Sequence, residues 1–469
     1  MAAGTAIPMA GTAIAHLGEF AARTAEGPDE RMLADARMRL LDVVGISVAA
    51  RQTDPAKVAR ALVTQWGGAP LAGAIGVSEL LPAPSAALVN GTLAHALDFD
   101  DTHVPSILHP SASVVPAALA AAEQAGAPGR RLLAAIVAGN EITIRLGNAG
   151  YDPAINNSVF FERGLHATSI CGAVGAAAAA GVAMGLHAEQ IAHAMAIACS
   201  MGAGLLEANR VGGSVKRMHC GWAAHSGVVA AQAAQAGLTG PPTVLEGRFG
   251  FFRAYCGDTY DESALLDGLG SRWELDACFL KPYPTNVFTH TGIDAAATLR
   301  GRGLRAEDVE SVQIAVAAAT ARTIAQPREA KIRPESGYHA QFSGPFTFAL
   351  ALRGGGGLGV YLDDFTDAAV ADPVNLDLAA RVEHVTDPRC EELFPQQFAS
   401  IVRVRTKDGA ELVEEVLANR GTRERPLSEA DARLKYDLNA RSLGDRADAL
   451  ADRITGVDKR SDVRGLLSN

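Results

Sequence analysis

Residues 167–186 form a stretch without a charged side chain, and alanine and glycine supply most of it. Such small residues insert poorly into lipid, but they allow neighbouring helix axes to approach closely. We therefore expect a buried helix inside a compact helical bundle. Apolar residues also recur at intervals of three and four in residues 36–50 and 130–147, as in helices packed on one face. Up to about residue 275 the sequence accordingly predicts helices.

The pattern changes after Cys278. Residues 309–318 alternate in the manner of a β-strand, and residues 400–416 predict two strands joined by an Asp408-Gly409 turn. These strands indicate that a smaller α+β region follows the helical one.

Helices are predicted between and after these strands, near residues 342–353, 364–381 and 425–443. In the last of them Ser428 is the expected N-cap, and Asp431 completes a weak capping box.

The predicted fold is therefore mainly α. A large all-helical domain comprises residues 1–278 and 425–469, and a smaller α+β lid domain, residues 279–424, is inserted before the C-terminal helices. A cleft between two such domains is a natural place for a substrate.

Charge and cysteine content narrow the possible partners. The 469 residues carry a formal net charge of -10, and Lys and Arg are scattered, so a nucleic-acid partner is not expected. The first residues lack the basic segment of a signal peptide, which predicts a cytoplasmic protein that does not bind a membrane. The six cysteines form no C-x-x-C pair, so buried reduced thiols are expected rather than disulfides or a zinc ribbon.

Acids and imidazoles are dense between residues 98 and 109, where Asp98, Thr102 and His109 stand out. Three interpretations remain open. The segment can bind a metal, because Asp and His are good ligands for zinc or manganese. It can be structural, with an aspartate ending a helix. It can also perform acid–base catalysis, in which a carboxylate orients a histidine that moves a proton, and we favour this interpretation.

Two further segments place basic residues beside helices of small residues. His166 precedes the stretch at 167–186, where the free amides of a helix N-terminus attract anions. Lys216 and His219 follow a glycine pair and precede another such helix. Both segments also have a structural interpretation. His166 can be a histidine whose hydrogen bonds are satisfied at the start of a helix, and the segment of Lys216 and His219 can be a solvent-exposed basic turn.

A fourth segment lies at the predicted domain junction. Lys281 stands between an apolar run and two prolines, which hold the chain extended and fix the direction of the lysine. Asn286 follows five residues later. A lysine beside a proline is ordinarily at the surface, but one at a hinge is a better candidate for a ligand contact. Dinucleotide, P-loop and serine-nucleophile motifs are absent in their expected contexts, so no cofactor is predicted.

Together these segments resemble the MmgE/PrpD family, which includes 2-methylcitrate dehydratases, cis-aconitate decarboxylases and iminodisuccinate epimerases. The resemblance is carried, in family order, by HALDFDDTH (95–103), GLHATSICGAVGAAAAAG (164–181), VKRMHCGWAA (215–224), KPYPTNVFTHTGIDAA (281–296) and RPLSEADARLKYD (425–437).

The resemblance implies a helical domain with an α+β lid, a homodimer, and catalysis without a metal. It also implies a site lined by Asp98, Thr102, His109, His166, Lys216 and Lys281. Two positions depart from the decarboxylase pattern: Asn286 replaces a histidine, and Phe346 replaces a tyrosine. A dehydratase-like lyase on a small di- or tricarboxylic acid is therefore expected first. An epimerase of an iminodisuccinate-like dicarboxylate, a cis-aconitate-type decarboxylase and a binding protein without turnover remain alternatives.

The expected reaction begins with loss of a proton from a carbon next to a carboxylate. Lys216 and Lys281 would stabilise the charge that develops on the carboxylate oxygens, with further donors from His166 or His219. His109, oriented by Asp98, would transfer the proton. Thr102, His219 and Asn286 would bind the substrate.

Overall fold

The computed structural model describes residues 8–27, 29–155 and 157–468. The chain divides into two compact units. One comprises the chain up to Cys278 together with the segment that starts at Asn439, and the other is Phe279–Leu438. Most of the described residues are helical and the sheets are small, which confirms the mainly-α prediction.

The first unit is built from helices whose apolar faces pack on one another. They are α1 Ala13–Glu26, α2 Glu30–Ala50, α3 Asp54–Trp66, α4 Ala83–His95, α5 Ser111–Ala125, α6 Gly129–Ala149, α7 Val159–Glu162, α8 Ala167–Ala183, α9 Ala188–Ala198, α10 Ala208–Val211, α11 Lys216–Gln235, α12 Phe251–Cys256 and α13 Ser263–Leu266.

Helix α8 is the centre of this unit, as its lack of charge predicts. All of its residues are buried, and it packs against α5, α6, α9 and α11. The contact with α6 requires glycine, because a Cβ at Gly175 would clash with Thr143 Oγ1 and lie 2.5 Å from Gly139 O. Small side chains therefore set the close spacing of these helices.

The prediction that the first unit is all-helical was wrong in one respect. It also contains the two-residue strands β1 Thr102–His103, β2 Tyr151–Asp152 and β3 Asn157–Ser158, and β2 pairs antiparallel with β3. A strand of two residues is too short to show the alternation by which strands are recognised in a sequence.

The second unit follows the two-residue strand β4 Cys278–Phe279 and combines helices with one four-stranded sheet. Its elements are α14 His290–Gly301, β5 Val309–Val316, α15 Ala318–Ile324, α16 Arg328–Ile332, α17 Gly337–Ala340, α18 Gly344–Arg353, α19 Asp367–Ala371, α20 Pro373–Ala380, β6 Val382–Thr386, α21 Pro388–Leu393, β7 Ser400–Thr406, β8 Glu411–Val416 and α22 Glu429–Ala440.

The sheet has the order β6-β5-β7-β8, in which β5 is parallel to β6 and the other pairs are antiparallel. It is covered on both faces, because Ile314 belongs to the main apolar core and the next residue, Ala315, belongs to a second cluster with Cys390. The strands predicted at 309–318 and 400–416 and the turn at Asp408-Gly409 are confirmed.

Residues 425–438 were assigned to the helical domain by the sequence, whereas the structure groups them with the second unit. Two ion pairs link this segment to other residues of that unit. Arg425 Nη1 lies 2.8 Å from Asp294 Oδ2, and Arg420 Nη2 lies 2.9 Å from Asp431 Oδ1. The predicted capping box is present, since Ser428 N donates to Asp431 Oδ2 at 3.2 Å and Asp431 N donates to Ser428 Oγ at 3.1 Å.

The first unit resumes with α23 Arg446–Thr455. All six cysteines are buried and unpaired, as expected. Within the described residues, no helix combines the length and apolar character needed to cross a membrane.

Candidate active site

The polar segment predicted at residues 98–109 follows α4 directly. Helix α4 ends at His95, and Asp98 then adopts a left-handed backbone with φ of 52°. Aspartate tolerates this conformation better than most residues, but it is uncommon outside glycine and is frequent at functional sites. After this turn Asp98 stays partly exposed, whereas Asp100 and Asp101 are buried.

Asp100 points inward and pairs with His95. Asp100 Oδ2 lies 2.8 Å from His95 Nδ1, and both side chains are almost completely buried. Burial by itself would lower the pKa of His95, but the Asp100 carboxylate and the Cys220 sulfur outweigh it and raise the pKa to about 10. A buried imidazolium–carboxylate pair therefore forms one wall of the site at neutral pH.

His109 is held in one tautomer. Its Nδ1 lies 2.7 Å from the carbonyl oxygen of Asp101, which accepts a hydrogen bond and so requires a proton on Nδ1. Thr102 Oγ1 is 3.2 Å from the same nitrogen. On the other side of the ring, His109 Nε2 lies 4.0 Å from Asp98 Oδ1, a distance beyond a direct hydrogen bond.

His166 and His219 form a second pair. His166 immediately precedes α8, His219 lies in the first turn of α11, and their Nδ1 atoms are 3.0 Å apart. Burial, reinforced by the positive charge of His95, lowers the pKa of His166 well below its usual range and that of His219 to about 4. Both imidazoles are therefore neutral at pH 7.

A neutral pair in this arrangement has defined proton positions. One Nδ1 must carry the shared proton and the other must accept it. The donor ring then has a bare Nε2, and the acceptor ring carries its proton on Nε2. The two rings thus offer one hydrogen-bond acceptor and one donor.

The four imidazoles lie close together. The ring centroid of His95 is 5.4 Å from that of His109 and 5.6 Å from that of His166, and the centroids of His166 and His219 are 5.1 Å apart. We call His95, His109, His166 and His219 the histidine cluster.

Gly204 borders the histidine cluster. Its φ is 154°, and a Cβ at this position would lie 3.0 Å from His166 Cβ and 3.2 Å from His219 Nδ1. Gly204 O also accepts a hydrogen bond from His166 N at 3.0 Å. A side chain at this position would displace the histidine pair.

Lys216 begins α11 and is half-buried. Residues three apart share a helix face, so Lys216 and His219 face the same side. The charge of Lys216 contributes to the lowered pKa of both His166 and His219, after burial and His95. Lys216 is therefore, beside His95, a second positive charge that acts on the histidine pair.

Asp101 and His103 have structural roles. Asp101 Oδ2 accepts hydrogen bonds from Arg39 Nη1 and Ser111 Oγ, each at 2.6 Å, which fixes the start of α5. His103 is buried with its Nδ1 2.6 Å from Ser106 Oγ, and burial lowers its pKa to about 3.

Asp98, Asp100 and His109 are the one group of described residues with the composition and spacing of a metal site. One ligand atom of each lies within 4.8 Å of the others. The set fits a divalent cation in ligand chemistry. Asp100, however, already balances the charge of His95, and the nearby positive charges oppose a further cation.

The remaining predicted residues belong to the second unit. Lys281 is buried, with 2% of its surface exposed. Asn286 caps a short 3₁₀ turn, since its Oδ1 accepts a hydrogen bond from Phe288 N at 3.0 Å. Phe346 is part of the apolar core of that unit. The structure thus brings together the predicted residues of the first unit, and the roles of Lys281 and Asn286 stay predictions.

Comparison with known families agrees with these features. The MmgE/PrpD N-terminal domain matches residues 15–263, and the MmgE/PrpD C-terminal domain matches residues 283–458. The chain belongs to the MmgE/PrpD family. This membership indicates an enzyme, and the resemblance inferred from the sequence is confirmed.

Several relatives of this MmgE/PrpD protein carry the name cis-aconitate decarboxylase. The protein of Aspergillus terreus is 30% identical over 418 residues, covering 84% of this chain and 82% of the relative. The protein of Homo sapiens is 30% identical over 374 residues, covering 77% and 74%. The protein of Mus musculus is 29% identical over 396 residues, covering 82% and 77%.

Sequence reasoning missed three members of this MmgE/PrpD site: His95, Asp100 as its partner, and Gly204. The first two stand in HALDFDDTH, five residues apart, and a histidine at a helix end followed by several acids was the available signal. Gly204 gave no local signal, because its role depends on two histidines from other segments.

Proposed function

We propose that this protein is a lyase that acts on a small di- or tricarboxylic acid by removing a proton next to a carboxylate. The observation that carries the proposal is the histidine cluster, in which a buried imidazolium, a neutral histidine pair and a histidine whose Nε2 is 4.0 Å from Asp98 lie side by side. Lys216 adds a second cation. Such an arrangement suits a multiply charged anion whose charge shifts during the reaction.

In the first candidate reaction, dehydration, His109 Nε2 takes the proton from carbon. The electrons of the C–H bond form the new double bond, and the C–O bond at the neighbouring carbon breaks. The ammonium of Lys216 supplies the proton with which the hydroxyl leaves as water, because a neutral imidazole that lost its proton would become an imidazolate. The charge of His95 and the N–H donor of the His166–His219 pair stabilise the negative charge that develops on the substrate carboxylate.

Decarboxylation is the second candidate, favoured by the names of the relatives. In that reaction a C–C bond breaks, carbon dioxide leaves, and the remaining carbon takes a proton from the site. Asn286 and Phe346 are the positions at which this chain departs from the decarboxylase pattern, so dehydration stays first. Epimerisation, in which the proton returns to the opposite face, is a third outcome.

Mass spectrometry separates these reactions. Purified protein is incubated in deuterated water with citrate, methylcitrate, aconitate or iminodisuccinate. Loss of water with alkene formation supports dehydration, loss of carbon dioxide supports decarboxylation, and deuterium uptake without either supports epimerisation. Absence of any change with all four acids would count against the proposal.

We propose that catalysis needs no metal, because Asp100 is already paired with His95, and a metal ion at Asp98, Asp100 and His109 would have to compete with that ion pair. Exhaustive treatment with a chelator, followed by elemental analysis of the protein, is the test. Activity should be unchanged. Loss of activity that zinc or manganese restores would instead assign these three residues to a metal centre.

We further propose that the second unit acts as a lid that brings Lys281 and Asn286 to the substrate, and that the enzyme is a cytoplasmic homodimer. Lid closure would exclude water from the reaction. Light scattering during size-exclusion chromatography measures the mass of the assembly, and fractionation of the source cells locates the protein.

A further inference from the structure

A second cleft lies in the first unit, and it shares no lining residue with the histidine cluster. Its volume is about 580 Å³, which is within the range of small-molecule sites. The walls come from the end of α2, the loop at residues 73–80, helix α23 and the last described residues of the chain. We call it the arginine cleft.

Three guanidinium groups line the arginine cleft. Arg51 follows the last residue of α2, whereas Arg446 and Arg453 lie seven residues apart on α23 and so share one helix face. Among the lining residues described, Glu79 is the one acid, and it is exposed. This concentration of positive charge contrasts with the net charge of -10 of the whole chain.

Two of these guanidinium groups are held in place by backbone carbonyls. Arg51 Nη2 donates to Ser442 O at 3.3 Å, and Arg453 donates to Leu466 O at 3.1 Å and Ser468 O at 2.8 Å. A guanidinium has five N–H donors, so further donors on both arginines are available to a ligand. The cations are therefore oriented before a ligand arrives.

The loop at residues 73–80 is also held in place, by hydrogen bonds between its backbone and side chains of α4 and α5. Asn90 of α4 accepts a hydrogen bond from Ile75 N at 2.9 Å and donates one to Gly73 O at 3.1 Å. Glu123 Oε2 of α5 accepts a hydrogen bond from Gly73 N at 2.7 Å. A cleft with such fixed walls needs little ordering when it binds, and this favours affinity.

We propose that the arginine cleft is a second ligand site, for a small organic polyanion whose phosphate or carboxylate groups pair with the three arginines. Arginine suits both groups, because its planar donors match two oxygens at once. The carbon skeleton of the ligand would lie on the apolar residues of the same cleft, which are Val48, Leu80, Leu443, Leu450 and Leu467.

Hydrogen exchange of the unmodified protein tests the proposal directly. Pyrophosphate and tricarballylate are the two probes, each at millimolar concentration. One or both should protect residues 73–80 and 446–453 from exchange, and the more effective probe distinguishes a phosphate ligand from a carboxylate ligand. Absence of protection in these residues with both probes would overturn the proposal.

Calorimetry with matched variants locates the binding. Arg446→Gln, at an exposed position, should weaken binding of the effective probe about tenfold, while Arg23→Gln makes the same charge change outside the cleft and should not. Lys216→Ala, a change in the histidine site, should leave this binding intact. Equal affinity in Arg446→Gln and the unmodified protein, or loss of binding in Lys216→Ala alone, would refute the second site.

Discussion

The Nδ1 atoms of His166 and His219 lie 3.0 Å apart, although one histidine precedes α8 and the other lies in α11, and both are neutral at pH 7. This contact makes the two rings one chemical unit, in which each determines the proton position of the other. Substitution of either ring should therefore remove the function of both.

The first prediction concerns this unit. His166→Ala and His219→Ala should each lower kcat/KM about 100-fold or more, the usual effect of losing an oriented hydrogen-bond donor in an active site. The double variant should lose little beyond either single one, because residues that act together are not additive. Steady-state kinetics of the three variants measures this, with His16→Ala, at a half-buried position outside the histidine cluster, as control. Independent, multiplying losses would contradict the paired arrangement.

A second prediction concerns His109 and Lys281. His109→Ala removes the imidazole proposed to take the proton, and Lys281→Ala removes a cation proposed to contact the substrate. Both variants should keep the circular dichroism spectrum of the unmodified protein and lose turnover. Near-normal rates in both purified variants would refute the assignment of the site.

The third prediction follows from the ion pair of His95 with Asp100. The pKa of His95 is raised to about 10, above its value of about 6.5 in an unfolded chain. The resulting stabilisation is complete below pH 6.5 and is lost as the pH rises through about 10. Asp100→Asn, which leaves a buried imidazole unpaired, should lower the free energy of unfolding by about 3–5 kcal/mol near pH 6.

Urea denaturation between pH 6 and pH 10 tests this expectation. The difference between the unmodified protein and Asp100→Asn should shrink steadily toward pH 10. A difference that stays constant across this range would show that His95 does not carry the charge.

A fourth prediction addresses the spacing of α6 and α8. Gly175→Ala places a methyl group against Thr143 and the backbone of Gly139, so it should destabilise the protein by about 1–3 kcal/mol. Gly27→Ala, at a position with open space around it, is the control and should change stability by less than about 1 kcal/mol. Thermal denaturation of the two variants would measure the contrast. Equal melting temperatures would argue against a tight contact at Gly175.

The sequence predicted the elements whose signal is local. The absence of charge in α8, the alternation in β5 and the Asp-Gly turn between β7 and β8 each identify a structure over a few residues. Residues 425–438 were assigned to the helical domain, because their ion pairs with Asp294 and Arg420 leave no local pattern in the sequence.

The residues of the candidate site likewise divide into those with a local sequence signal and those without one. His109, His166 and Lys216 were found because each stands beside a glycine- or alanine-rich helix or among acids. His95 was missed, because the acids that follow it in HALDFDDTH do not show which of them pairs with it, and that pairing forms only when the fold buries both side chains. The tautomer of His109 likewise depends on a carbonyl group, which every residue possesses.

The small side chains of α8 also limit which substitutions this protein can accept. A helix built mostly from alanine and glycine packs closely against its neighbours, so most substitutions that enlarge a buried residue of α8 are excluded. New specificity has to arise through polar substitutions in the segments that border the histidines, while the helices behind them keep their composition.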